Sequence, residues 1–245
     1  PMVAPGLGGL LAERVSWRAL FAVLAAFGAV LLVAALRRLP ETRPAAAGTG
    51  RRGSLRALVR NRRFLAYALQ GAMVSATFLA FVAGAPTVFV DALGRGPADF
   101  GQYFAAVAGA YLVGNFIASR TARRVGVLRM VLVASVLALL AAILALALAL
   151  AGVRTPWSLC GPVVVIVLCA GLSNPNAQAG AIGAFPHATG TASGGLTFLQ
   201  NVGGAIATQL VGMFPATTLL PVAALLVVFS ALSLGSLLLL PRAAR

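Results

Sequence analysis

The sequence predicts an all-α polytopic membrane protein, on three observations. Of the 245 residues, 60% are hydrophobic and only 9% charged, with a mean hydropathy of +0.98. Several apolar runs reach the roughly 20 residues that a membrane-spanning helix needs. The 19 basic residues are all arginine, and they gather at the ends of those runs rather than within them. A transmembrane barrel would instead show short alternating segments, and none is visible. In a soluble protein a net charge of +15 would suggest nucleic acid. Here the placement of the arginines points to topology and anionic headgroups, so no nucleic-acid partner is expected.

In order along the chain, PMVAPGLGGLL is too short to span and lacks the basic flank of a signal peptide. It reads as the tail of a helix, and the chain as the C-terminal part of a longer protein. Trp17 to Leu36 forms the first full span, opened by an interfacial aromatic. Residues 37–63 follow, holding nine arginines (Arg37, Arg38, Arg43, Arg51, Arg52, Arg56, Arg60, Arg62, Arg63) against one acid, Glu41. The end of this linker, Ser54 to Arg63, is expected to form a short amphipathic helix at the membrane surface. The second span covers about Phe64 to Val90, and a short loop runs from Asp91 to Asp99. The third covers Gly101 to Ser119 and closes with Arg120, Arg123 and Arg124. The fourth, Met130 to Ala151, is nearly pure Ala, Leu and Val. The fifth covers Trp157 to Ala181, the sixth Gly190 to Met213, and the seventh Thr217 to Leu240. The domain reading is therefore 1–36, a cytoplasmic linker 37–63, and a six-helix unit 64–245.

Orientation follows from alternate loops. The linker side holds those nine arginines with Arg120, Arg123, Arg124, Arg129, Arg242 and Arg245; the other side holds Arg14, Arg18, Arg95 and Arg154. Arginine-rich short loops stay inside, so the linker and the C-terminus are expected to be cytoplasmic. Cys160 and Cys169 lie nine residues apart, about 13.5 Å along a helix, too far to pair. No metal-ligand spacing occurs, so no metal is expected. His187, the one histidine, has no nucleophile or acid near it in sequence, which argues against an enzyme.

Polar residues sort the spans. Amides occur in the second, third, fifth and sixth (Gln70, Asn115, Asn174, Asn176, Gln178, Gln200, Asn201, Gln209) and in no other span. On the second, Gln70, Met73, Thr77, Phe81 and Gly84 share a face; Tyr111 and Asn115 are one turn apart on the third. Gly171, Asn174 and Gln178 align on the fifth, and Thr197, Asn201, Gly204 and Thr208 on the sixth. Any one amide is readily explained as interhelical glue. As a set they are better explained as lining a polar cavity, with every third helix facing lipid.

Three stretches resemble the major facilitator superfamily. The first is Pro5, Gly6, Gly8 and Gly9, similar to the antiporter motif of the family's fifth helix. The second is Trp17, Arg18 and Phe21 with Leu39-Pro40-Glu41-Thr42, and the third is residues 175–200. Their order resembles the bicyclomycin-resistance (Bcr/CflA) drug-efflux subfamily. The resemblance covers the whole chain, from the end of helix five to helix twelve, which implies the family fold in incomplete form: seven full spans plus a helix tail. It departs at Ser119, where the family's cytoplasmic loop motif carries Asp.

The resemblance implies a secondary transporter exporting small amphipathic or cationic drugs by alternating access, with the proton gradient for coupling and no other cofactor. It would be a monomer when full length, multi-pass in a bacterial inner membrane. Drug/proton exchange needs an intramembrane acid. Glu13, Glu41, Asp91 and Asp99 all fall at span ends, so that acid is expected in preceding helices, and residues 1–245 alone are expected not to transport. Two alternatives stay open: an importer on the same fold, and a seven-helix ligand receptor. A retinal protein is excluded by the absence of lysine.

Overall fold

A computed structural model of the chain describes residues 17–38, 55–91, 93–94, 97–214 and 219–240. The chain divides into two units, Pro1–Arg52 and Gly53–Arg245. In the first, α1 (Trp17–Arg38) ends in Arg37 and Arg38, cations that suit the negative end of a helix dipole. The antiporter-motif residues Pro5, Gly6, Gly8 and Gly9 lie outside the described residues, as does most of the linker.

The second unit contains α2 (Leu55–Arg60), α3 (Arg62–Asp91), α4 (Pro97–Val125), α5 (Val127–Leu150), α6 (Pro156–Ile182), α7 (Thr189–Gly212) and α8 (Leu220–Ser236), which ends in a 3-10 turn, Leu237–Leu239. Asn61 breaks α2 from α3 and caps the latter: its Oδ1 accepts from the Phe64 amide at 3.0 Å. The short helix packs onto the unit, with Leu58 buried in a cluster with Phe64, Ala192 and Leu196. Thr155 caps α6, with Pro156 in the first turn, where its missing N–H costs nothing. Gly126 turns α4 into α5 at φ 88°, a backbone that favours glycine.

Among the described residues five helices are long and apolar enough to cross a bilayer: α1, α3, α5, α6, and α8 with its 3-10 turn. α4 and α7 have the length, at 29 and 24 residues, but polar and small residues dilute them below that apolarity. They are two of the four amide-bearing spans. α4 also runs past Ser119, so Arg120 and Arg124 ride on helix; the Ser119 hydroxyl donates to Phe116 O, and Arg120 stacks 4.6 Å above the Phe116 ring.

The contacts within this unit define two layers. A front row runs α7–α3–α6–α4; behind it α8 packs on α3, α5 packs on α6, and α5 and α8 touch each other. Exchanging α3 with α6, α4 with α7 and α5 with α8 leaves this pattern unchanged. The unit is thus built from two related groups of three helices, and three crossings each make the groups opposite in direction.

Glycine permits the closest approaches in the row. A Cβ on Gly171 of α6 would strike Tyr111 O and come within 2.9 Å of the Asn115 amide nitrogen on α4. One on Gly203 of α7 would lie 2.8 Å from Ala72 O on α3. Where lipid is as apolar as the side chains, such contacts hold helices together better than hydrophobicity does. One end of the unit is closed by aromatic rings: Phe89 meets Phe100 at 5.2 Å and Tyr103 at 5.5 Å, and Tyr103 meets Trp157 edge-on at 5.2 Å.

Candidate functional site

The amide-bearing spans are the four helices of the front row, and the two spans without amides form the back layer. The sequence-predicted residues then fall into three groups. Those on α3 are turned into the unit. Gln70 is fully enclosed, and neither its Oε1 nor its Nε2 has a hydrogen-bond partner. Met73 packs against the cluster of Ala76, Ala80, Ala207 and Phe229. The Thr77 hydroxyl donates to Met73 O at 2.8 Å, and Phe81 sits in the main apolar core.

A second group sits half-buried beside the α4–α6 crossing. Tyr111 and Asn115 flank Gly114, and Asn115 Nδ2 donates to Tyr111 O at 3.1 Å. Asn174, one turn beyond Gly171, keeps an unpartnered, buried Oδ1. Its neighbour Asn176 is buried and donates to Leu172 O at 2.8 Å.

The third group is exposed. Gln178 on α6 and Thr197 and Asn201 on α7 lie open on the unit's surface, with Thr208 and Gln209 further along α7. Asn201 Nδ2 donates to Thr197 O at 2.9 Å, leaving its oxygen outward. Amides at membrane depth are costly against lipid, so such a surface must meet protein or water. α6 is flanked by α3 and α4 and backed by α5, so its exposed Gln178 points to the front. Gln178, Thr197 and Asn201 are thus exposed, and Tyr111, Asn115 and Asn174 half-buried, on three helices of the front row, whereas the α3 stripe is packed inside the unit.

Of the arginines assigned to topology, Arg37, Arg38, Arg62, Arg63, Arg120 and Arg124 are exposed at helix ends; the Arg123 side chain lies outside the described residues. Ser135, Ser230 and Ser233, which the sequence reading passed over, are buried with unpartnered hydroxyls on the back helices. Single serines in Ala/Leu runs give no periodic signal, so only the packing reveals them.

Residues 1–208 match the sequence profile described as Major Facilitator Superfamily. The chain is 31% identical over 218 residues to Multidrug resistance protein D of Escherichia coli (strain K12), covering 89% of this chain and 55% of that protein. It is 33% identical over 129 residues to the uncharacterized MFS-type transporter YdgK of Bacillus subtilis (strain 168), 47% of this chain and 32% of that one. It is 28% identical over 138 residues to the multidrug transporter MdfA of Edwardsiella piscicida, 54% of this chain and 33% of that one. The chain thus spans about half or less of the length of these relatives.

Proposed function

Because this chain belongs to the major facilitator superfamily, we propose that it supplies the C-terminal half of a proton-coupled exporter of small amphipathic or cationic drugs, in the bicyclomycin-resistance subfamily. It is a multi-pass membrane protein and not an enzyme. The observation that carries the efflux reading is the likeness to Multidrug resistance protein D along 89% of the chain.

The front row supports the same reading. Gln178, Thr197 and Asn201 offer a drug neutral hydrogen-bonding groups, and Tyr111 offers an aromatic face for cation–π contact. In this reading the row lines one wall of a midplane cavity, and the two halves of the transporter rock about it. The four acids of the chain stand at span ends in sequence. The proton-carrying group is therefore assigned to a part of the transporter outside residues 1–245. The linker and C-terminus face the cytoplasm of a bacterial inner membrane.

The test is expression of the complete gene in a drug-sensitive bacterium, with ethidium efflux followed in everted vesicles. Energised vesicles should accumulate the dye and release it when the pH gradient is collapsed. Movement in the opposite direction would establish an importer; indifference to the gradient would remove proton coupling.

A further inference from the structure

Behind the front row, α3, α5, α6 and α8 enclose a cavity of about 20 Å³, lined by Val74, Thr77, Ser135, Ser173, Ser230 and Ser233 among others. That is room for about one water molecule. Each of the three serines Ser135, Ser230 and Ser233 is only 3% exposed, and none of their hydroxyls has a hydrogen-bond partner. Serine in a membrane helix ordinarily turns its hydroxyl onto a carbonyl of its own previous turn, as Thr77 and Ser236 do here. Three orphaned hydroxyls around one cavity are therefore a pattern to be explained, since each would cost free energy if left dry.

We propose that a single ordered water occupies this cavity and bridges Ser135 of α5 to Ser230 and Ser233 of α8. The donor balance closes. Thr77 spends its proton on Met73 O, so its oxygen presents only lone pairs and accepts one proton from the water. The Ser173 hydroxyl keeps its hydrogen bond to Ala170 O, 3.5 Å away on its own helix. Two serine hydroxyls donate to the water's lone pairs, and the third accepts its remaining proton while turning its own hydrogen to a carbonyl of its helix. The occupant is neutral because no carboxylate lines the space, and an uncompensated cation there would be strongly disfavoured.

The bridge does work that the side chains around it do not. α5 and α8 are almost wholly aliphatic, and burying Leu against Leu gains little over burying it in lipid. A shared water gives this pair a directional link, and through Thr77 ties both to the row in front. This inference stands apart from the transport reading.

The test uses the transporter made from its complete gene, in lipid nanodiscs, with Ser135→Ala, Ser230→Ala and the double variant compared by thermal unfolding. Each single substitution should lower the midpoint by about 1 °C, the shift expected from losing one hydrogen bond in a transporter about twice the length of residues 1–245. The double variant should lose clearly less than the two singles together, because both remove the same bridge. Additive losses would overturn the proposal. A structure better than about 2 Å gives a second reading, since a water is seen at hydrogen-bond distance. One density peak shared by at least two of the three hydroxyls supports it. An empty cavity with each hydroxyl turned onto its own helix would overturn it, and so would a cation at shorter contacts.

Discussion

The front row and the back pair of the six-helix unit solve the same packing problem by different means. In the row, glycines let backbones meet: α4 against α6 at Gly114 and Gly171, and α7 against α3 at Gly203. In the back pair, α5 turns a buried face of mostly alanine (Ala134, Ala141, Ala142, Ala145) inward, and three serines line a cavity where α5 and α8 meet. The row also carries every amide found within the unit's spans. Hydrophobicity alone would rank α5 as the best-packed helix, yet many of its leucines, such as Leu137, Leu140 and Leu144, are exposed. In lipid, close backbone approach and polar groups decide which helices form the centre, and aliphatic runs decide which face outward.

The largest expected effect breaks the row. Gly171→Leu sets a branched side chain against the α4 backbone at Tyr111 and Asn115 and should abolish folded protein, read by fluorescence-detected size exclusion. Gly161 on the same helix faces open space, so Gly161→Ala should be tolerated or should stabilise by about 1 kcal/mol. If both changes behave alike, close approach at the crossing is not what holds α4 to α6.

Next in size, Asn201→Leu and Gln178→Leu leave the packing intact because both side chains are exposed. Each should lower drug efflux about tenfold, the loss from one unmade hydrogen bond, with yield and melting temperature unchanged. Loss of yield instead would mean these amides hold helices together rather than line a cavity. Asn61→Ala removes the α3 cap and should cost about 1 kcal/mol of stability, read by thermal unfolding. Smallest is Leu137→Ala on the outward face of α5, expected within about 0.5 kcal/mol of the parent by the same measurement.

Much of the fold was legible because the bilayer imposes a length. Each of the seven apolar runs corresponds to a helix, and the Gly126 and Gly152 turns fall where polar breaks separate the runs. Boundaries were less legible where charge and helix coexist. Arg120, Arg123 and Arg124 read as the start of a loop, yet arginine is a good helix former and α4 continues to Val125. The α3 stripe shows a deeper limit. Period alone places Gln70, Met73, Thr77 and Phe81 on one face, but which neighbour covers that face depends on three-dimensional order. Here side chains of α4, α6, α7 and α8 pack against it, so Gln70 and Phe81 are enclosed while Asn201 is open. The serine cavity was illegible for the same reason, because its walls come from four helices.

Both native thiols of this chain, Cys160 and Cys169, are buried within α6. Neither thiol need be removed before a cysteine placed at Thr197, Asn201 or Gln178 serves as a chemically addressable reporter. The rate at which a membrane-impermeant maleimide labels it from either side measures which way the surface opens. Drug or a pH gradient should change that rate if the halves rock. The same buried pair that offers nothing to catalysis thus makes the front row's exposure a quantity that can be timed.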